Sequence, residues 1–258
     1  MMPENVSELP VSHQSVSETS LEVGGDTGLE PWRREVDGMY RAIGFIHRKA
    51  RREDVGFGSD DILALHRTVI NDPLNPHRSG SLREVPISSI EYIIEGRRVE
   101  TASLPPDPHF LSEYFNEFAH ELEERTKNLL VSATVEEVID LAAWAHDRLV
   151  WIHPFNDGNG RTARLLADFI FRKARLPYIR DWGAVGDEYK KMIHRSLKES
   201  DLKYQKLFLA QRLLARLKGI ENLFSSNLSS NQEIKDYMRQ RRIETENYLN
   251  SLVGTNGF

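Results

Sequence analysis

Most of the chain after residue 31 carries apolar residues at the spacing of an α-helix. In the segment 108–125, apolar side chains recur three, four and seven positions apart, so they share one helical face. The same pattern predicts seven further helices, which begin near residues 31 and 59 or run over 134–150, 158–171, 184–199, 203–218 and 229–252. Ser59 or Asp60 can cap one helix, and Thr134 with Glu137 forms a capping box for another. The sequence therefore predicts a mainly α-helical domain.

One stretch, residues 76–106, departs from the helical pattern. β-favouring residues run over 82–94, Glu95-Gly96 is a turn signal, and Pro105-Pro106 closes the stretch. We expect an exposed hairpin or extended flap here, and the candidates for its target-binding edge are Val85, Ile87 and Ile90. Periodicity alone leaves open whether these three residues form that edge or pack into the core.

Composition limits the classes of protein to which the chain can belong. It has 258 residues and no cysteine, which excludes disulfide scaffolds, thiolate zinc sites and cysteine nucleophiles. With 34 Lys and Arg against 39 Asp and Glu, the net charge of −5 argues against nucleic acid as a partner. No apolar run approaches the roughly 18 residues of a membrane helix, and the first twenty residues lack the pattern of a secretory signal. We therefore expect a cytoplasmic protein without a membrane partner.

The segment HPFNDGNGRTAR, from His153 to Arg164, lies where one predicted helix ends and the next begins. Gly158 and Gly160 allow the backbone to turn so that its N–H groups converge, and the next helix adds its own N–H groups and the positive end of its dipole. Arg161 and Arg164 are three positions apart, so both guanidinium groups can face the same anion. The segment therefore predicts a site for a di- or triphosphate.

Three other side chains of this segment supply chemistry. Asp157 precedes the glycine turn, where its carboxylate can hold a Mg²⁺ that bridges phosphate oxygens. Asn159 adds an uncharged donor and acceptor. His153 is the group whose ordinary pKa permits proton abstraction near neutral pH, and Pro154 fixes the turn that aims it. His153 is therefore the candidate general base.

The segment matches the signature HPFx(D/E)GNGRxxR at every position, and in this it resembles the Fic family. The upstream stretch from Gly80 to Ile94, followed by Pro105-Pro106, is similar to the β-hairpin flap of Fic domains. The resemblance covers roughly residues 55–200. It implies a Fic-type helical bundle with a small β-hairpin flap beside the active-site loop. It also implies transfer of a nucleoside monophosphate, usually AMP from ATP, to a Ser, Thr or Tyr hydroxyl of a target protein.

The resemblance assigns roles to individual residues. It implies that His153 deprotonates the target hydroxyl, that Phe155 anchors the loop and that Asp157 holds Mg²⁺. The nucleotide-binding residues that it implies are Phe155, Asn156, Gly158, Asn159, Gly160, Arg161 and Arg164. In the Doc branch of the superfamily a lysine stands at the position of Gly160, so glycine favours transfer of AMP over kinase-like transfer of phosphate.

The family also suggests partners and a division of the chain. The flap implies a protein substrate that docks by β-augmentation, which fixes the target backbone without reading its sequence. Inhibition by a small separate protein or by the chain itself stays open, because Ser229 and Glu233 have the spacing of the family's inhibitory motif (S/T)xxxE(G/N) but Ile234 follows. A homo-oligomer also stays open. The expected segments are a flexible leader 1–30, an N-terminal helical segment 31–54, a Fic domain 55–218 and a C-terminal helical tail 219–258.

Two alternatives for the function stay open. Nothing in the phosphate loop distinguishes one base from another, so UTP, GTP or a nucleotide-linked choline could replace ATP as donor. The second alternative is a regulatory module that binds a nucleotide and a partner with little turnover.

Overall fold

The computed structural model describes residues 31–72, 78–88, 90–100, 104–129, 131–179, 186–226 and 231–254. The leader 1–30 and Ser229 lie outside these ranges. The helices are α1 Pro31–Ala50, α2 Ser59–Ile70, α3 Pro108–Lys127, α4 Val135–Ile152, α5 Asn159–Lys173, α6 Gly186–Glu199, α7 Lys203–Ser226 and α8 Gln232–Gly254. The strands are β1 Glu91–Ile94 and β2 Arg97–Glu100. The predicted mainly α-helical fold with one small hairpin is confirmed. None of the described helices combines the length and apolar character needed to cross a bilayer.

The helix ends follow their capping signals, with one correction. At α4, Thr134 Oγ1 accepts the Glu137 N–H at 3.2 Å and the Glu137 carboxylate accepts the Thr134 N–H at 2.7 Å, which is the predicted capping box. The predicted cap of α2 at Ser59 or Asp60 is wrong, because Gly58 occupies the cap position. Its N–H donates to the Asp61 carboxylate at 3.0 Å, so the helix start is fixed from within its first turn.

Helix α4 lies at the centre of the bundle. It packs against α3, α5, α6, α7 and α8, and its buried residues lie on every side. One continuous core extends from Ala42 in α1 to Tyr248 in α8, so it includes helices from all three segments predicted after the leader. The boundaries of those segments stay predictions. Because α4 and α5 are both held in this core, the loop that joins them is fixed at its two ends.

Helix α7 continues beyond the predicted end at residue 218 and reaches Ser226. Gly219 lies within the longer helix, and a single glycine lowers helix stability by only about 1 kcal/mol. The antiparallel packing of α8 along α7 outweighs that cost.

The hairpin of β1 and β2 packs against α6 through β1. Its turn is Glu95-Gly96, and both residues have positive φ, 49° and 75°, as a two-residue hairpin turn requires. Lys190 Nζ donates to the Ile93 carbonyl at 2.8 Å, and the Asp187 carboxylate accepts the Glu95 N–H at 3.3 Å. These contacts hold the flap against the side of the bundle.

The three candidate edge residues precede β1 and do not lie in a strand. Val85 is 65% exposed, Ile87 is half-buried and Ile90 is buried. The Val85 carbonyl accepts a hydrogen bond from Arg83 Nη1 at 3.0 Å, so a side chain holds this backbone in place of a neighbouring strand. The role of these three residues in target binding stays a prediction.

Candidate active site

His153 ends α4 in the left-handed conformation, with φ 48° and ψ 56°. A residue other than glycine adopts this conformation at a cost of about 1–2 kcal/mol, and such strain is common at functional sites. The His153 Nδ1 lies 3.3 Å from the Val150 carbonyl oxygen. Because a carbonyl only accepts, Nδ1 carries the ring proton and Nε2 is left to accept one. The geometry thus fixes the tautomer that a general base needs.

Burial lowers the pKa of His153 to about 4. The charge of Arg83 acts in the same direction, whereas the Val150 carbonyl and the charge of Asp157 oppose the shift. The imidazole is therefore neutral at pH 7 and able to take a proton. Phosphate groups bound beside it would raise its pKa towards the working pH, because an anion favours the charged imidazolium.

Phe155 and Asn159 close the loop on itself. The Phe155 ring is fully buried. Its N–H donates to Asn159 Oδ1 at 3.0 Å, and Asn159 Nδ2 donates to its carbonyl at 2.7 Å. Each end of the Asn159 amide is thus engaged once, and Nδ2 has a second N–H beyond the one that bonds the Phe155 carbonyl. The predicted phosphate contact of Asn159 stays a prediction.

His66 of α2 packs against the loop and hydrogen-bonds it. It was not among the predicted site residues. Its ring stacks on Phe155 at 3.6 Å between centroids, with 7° between the planes. Its Nδ1 accepts the Gly80 N–H at 2.9 Å, so Nε2 carries the proton and donates to the Asp157 carbonyl, also at 2.9 Å. His66 therefore connects the start of the flap to the loop.

Arg83 is a second supporting residue that the sequence analysis missed. Its buried guanidinium donates to the carbonyls of His153 at 2.8 Å and Pro106 at 2.5 Å, in addition to that of Val85. Its own N–H donates to the Pro154 carbonyl at 2.8 Å. Arg83 therefore joins both ends of the flap to the residues that carry the candidate base.

The predicted anion site falls on the first turn of α5. Gly158 caps this helix with φ 78°, a conformation that favours glycine, and a Cβ at this position would also come within 2.7 Å of Ile70 Cδ1. The N–H groups of Asn159, Gly160 and Arg161 have no acceptor within the helix, as is general for a first turn. This end of α5 can therefore bind an anion.

The two arginines have different partners. Arg161 pairs with Asp157 at 2.8 Å and with Glu35 of α1 at 3.6 Å. Arg164 is half-buried, and its guanidinium carbon lies 5.0 Å from the centre of the Tyr189 ring. Within the described ranges, no carboxylate forms an ion pair with Arg164. Arg164 therefore keeps its charge available to an incoming anion.

A cavity of about 380 Å³ brings part of the candidate site together, whereas Phe155, Asp157, Gly158 and Arg161 lie outside its lining. It is lined by His153, Asn159, Gly160 and Arg164, by Ile90, Glu91 and Tyr92 of the flap side, and by Tyr189, Lys190 and Ile193 of α6. The Glu91 carboxylate in this lining pairs with Arg98 of β2. Its size suits a small ligand. Asn156 lies exposed in the loop outside this lining. A larger groove of about 830 Å³ between α3, α4 and α7 contains none of the loop residues, so we do not associate it with this chemistry.

The residues present fit Mg²⁺ bound together with phosphates. The Asp157 side chain is 77% exposed at the mouth of the loop. One of its oxygens accepts the Gly158 N–H at 2.6 Å and the other pairs with Arg161. Among the residues with described positions, no three His, Asp or Glu side chains form a metal cage. One carboxylate with substrate oxygens and water is, however, the set that Mg²⁺ prefers.

We expect acid to destabilise the fold through buried histidines. Burial and the charge of Arg164 lower the pKa of His146 to about 3, and that of His153 is about 4. The unfolded chain takes up these protons first, so the free energy of unfolding falls as pH drops below about 6.5. Between pH 7.5 and 5.0 each histidine should contribute a loss of about 2 kcal/mol. Asp147, whose pKa is raised by burial, acts in the opposite direction.

Urea unfolding of the wild-type chain and of a His146→Gln variant at the two pH values tests this expectation. The variant should lose about 2 kcal/mol less on acidification than the wild type does. An equal loss in both proteins would show that His146 does not contribute.

Comparison with known proteins identifies the domain that carries this site. Residues 56–171 match the model of the Fic/DOC family. The protein adenylyltransferase Fic of Nematostella vectensis is 30% identical over 164 residues, 64% of this chain and 34% of that protein. That of Drosophila sechellia is 33% identical over 164 residues, 64% of this chain and 29% of that protein. The chain thus spans about a third of the length of these curated relatives.

Solved structures agree in fold. Fic-1 of Caenorhabditis elegans superposes with a TM-score of 0.60 at 26% identity, over 78% of this chain and 55% of that one. A Fic domain containing signaling protein of Bacteroides thetaiotaomicron gives a TM-score of 0.56 at 22% identity, over 74% and 72% of the two chains, and shows the fold alone. The unbroken motif, the fold and the family model together identify residues 56–171 of this chain as a Fic/DOC domain.

Proposed function

We propose that this chain is a protein adenylyltransferase, which transfers AMP from ATP to a Ser, Thr or Tyr hydroxyl of a target protein. The observation that carries the proposal is that His153, Arg164 and the first turn of α5 surround one cavity. The names of the curated relatives support the same reaction.

The geometry suits an in-line displacement at the α-phosphorus. Nε2 of His153 takes the proton of the target hydroxyl, whose oxygen forms a bond to the α-phosphorus while the bond to pyrophosphate breaks. The N–H groups of the α5 first turn and the two arginines balance the charge of the phosphates. Mg²⁺, when bound by Asp157, would supply further neutralisation of those charges.

The target is proposed to dock on the flap by β-augmentation. The outward carbonyl of Ile93 in β1 is already bonded to Lys190, whereas the side chains of β2 are largely exposed. A target strand would therefore find its partners more readily along β2 or along the extended stretch that contains Val85 and Ile87. Docking along the extended stretch would bring the target towards His153, because the Arg83 side chain bonds the carbonyls of both Val85 and His153.

Transfer from two labelled forms of ATP tests the function. With Mg²⁺ and candidate targets, label at the α-phosphate should appear on protein and label at the γ-phosphate should not. Transfer of the γ-label would contradict AMP transfer. ATP binding without release of pyrophosphate would favour the regulatory module instead. Competition by unlabelled UTP, GTP or a nucleotide-linked choline would show whether another donor is preferred.

We expect Arg164→Ala to weaken binding of ATP far more than it weakens the fold. Loss of a charge-assisted contact to the terminal phosphates should cost about 1.5–3 kcal/mol of binding, a factor of about 10 to 100. Loss of the stacking on Tyr189 should cost the free protein only about 0.5–1 kcal/mol. Thermal melts with and without Mg²⁺-ATP measure both effects. A large fall in the melting temperature of the free protein, with the ATP-induced shift unchanged, would assign Arg164 a structural role.

A further inference from the structure

Tyr189 of α6 contacts Arg164 with both its ring and its hydroxyl. The guanidinium carbon lies 5.0 Å from the ring centre, within the range of a cation–π contact. The Arg164 side chain also hydrogen-bonds the Tyr189 hydroxyl. A Cβ at Gly160 would lie 3.4 Å from Arg164 Nη1 and 3.8 Å from Tyr189 Oη, so both groups lie directly over the first turn of α5.

The hydrogen bonds of Tyr189 form a chain with a fixed direction. A guanidinium can only donate, so the Tyr189 oxygen accepts from Arg164. The hydroxyl can then donate its own proton to His146 Nε2, 2.9 Å away. His146 is buried and its pKa is lowered to about 3, so the ring is neutral at pH 7 and its Nε2 can accept. The chain of donors runs from Arg164 through Tyr189 to His146.

This arrangement holds a cation without neutralising it. A carboxylate would fix Arg164 equally well but would compete with phosphate for the same guanidinium. No carboxylate takes that place within the ranges that the structure covers, whereas Arg161 is paired with Asp157 and Glu35. A long side chain held in one orientation also loses less conformational freedom when the ligand arrives.

We propose that Tyr189, supported by His146, is a positioning residue that holds Arg164 in place for the terminal phosphates of ATP. The inference rests on the proposed function, because it takes the ligand of Arg164 to be a nucleoside triphosphate. It extends the site beyond the loop to α6 and to the middle of α4.

A series of nucleotides that differ only in phosphate length tests the proposal. Tyr189→Phe removes the hydroxyl and keeps the ring. We expect this variant to bind Mg²⁺-ATP about tenfold more weakly, since it loses a hydrogen bond to a charged group. Its Kd for AMP should change less than twofold, because AMP lacks the phosphates that Arg164 contacts. Calorimetric titration of the full chain with ATP and with AMP measures both constants.

Tyr248→Phe is the matched control. Tyr248 is also buried, and its hydroxyl also bonds a residue of α4, Asp140, but it lies outside the cavity. The control should leave the ratio of the ATP and AMP constants as in the wild type, even where its melting temperature falls. The double variant Tyr189→Phe with Arg164→Ala should bind ATP no more weakly than Arg164→Ala alone, because the two residues act on one contact.

The outcomes separate this inference from the function on which it rests. Equal weakening of ATP and AMP by Tyr189→Phe, or additive effects in the double variant, would show a general structural role and overturn the inference. No effect of Tyr189→Phe, with selective weakening by Arg164→Ala, would also overturn it and leave the proposed function in place. If Arg164→Ala does not weaken ATP binding, both the inference and the proposed role of Arg164 are wrong.

Discussion

Replacement of His153 by Asn should lower the rate of transfer by about 10² to 10⁴-fold, the usual contribution of a general base. Asn tolerates the left-handed conformation that His153 adopts at the end of α4, so the bend into the loop should persist. The amide has no basic nitrogen and cannot take the proton of the target hydroxyl. Initial rates with α-labelled ATP measure the loss.

Binding of ATP serves as the internal control for this variant. Because the anion site belongs to α5, the Kd for Mg²⁺-ATP should stay within about threefold of the wild-type value, a difference of less than 1 kcal/mol. His153→Ala should lose transfer as well and should also melt at a lower temperature, since alanine adopts the left-handed conformation less readily. A rate above a tenth of the wild-type rate in His153→Asn would show that another group is the base.

Phe155→Ala should destabilise the protein by about 3–5 kcal/mol, the usual cost of removing a buried aromatic side chain. The ring is fully buried, stacks on His66 and meets Phe115 edge to face at 6.3 Å. The backbone of the same residue holds the Asn159 amide, so a shift of Phe155 would also disturb the start of α5. Urea unfolding gives the stability, and calorimetry should show that ATP binding is lost or greatly weakened.

Two further variants make this expectation specific. Phe155→Leu keeps most of the buried volume and should cost less than the alanine variant. Phe110→Ala removes a phenylalanine of α3 that is 51% exposed, and it should cost far less than Phe155→Ala. Equal losses in Phe110→Ala and Phe155→Ala would mean that the ring does not anchor the loop.

The parts of the fold that could be predicted are those encoded in neighbouring residues. Helical periodicity, the Thr134 capping box and the Glu95-Gly96 turn each depend on side chains within a few positions of one another, and each has its expected structure. The segment 153–164, which comprises the loop and the first residues of α5, was recognisable for the same reason. Its chemistry is concentrated at one junction between two helices.

The supporting residues could not be predicted because their partners are distant in sequence. His66 meets Asp157 across 91 positions, Arg83 meets His153 across 70, and His146 meets Tyr189 across 43. A single histidine or tyrosine on a predicted helix gives no sign of such a partner. The residues around Val85 were hard to predict for a different reason. Their β propensity is high, yet they do not form a strand in the structure.

The loop between α4 and α5 is short. Its two end residues, His153 and Gly158, both have a positive φ, which few residue types adopt readily. An inserted or deleted residue would rotate one of two core helices relative to the other, so the length of this loop can scarcely vary in evolution. The cavity wall built by the flap and α6 is less constrained outside Tyr189 and Ile193, which belong to the core, because its other residues do not fix the angle between two core helices. We therefore expect related chains to differ in the exposed residues of that wall more than in the length of the loop.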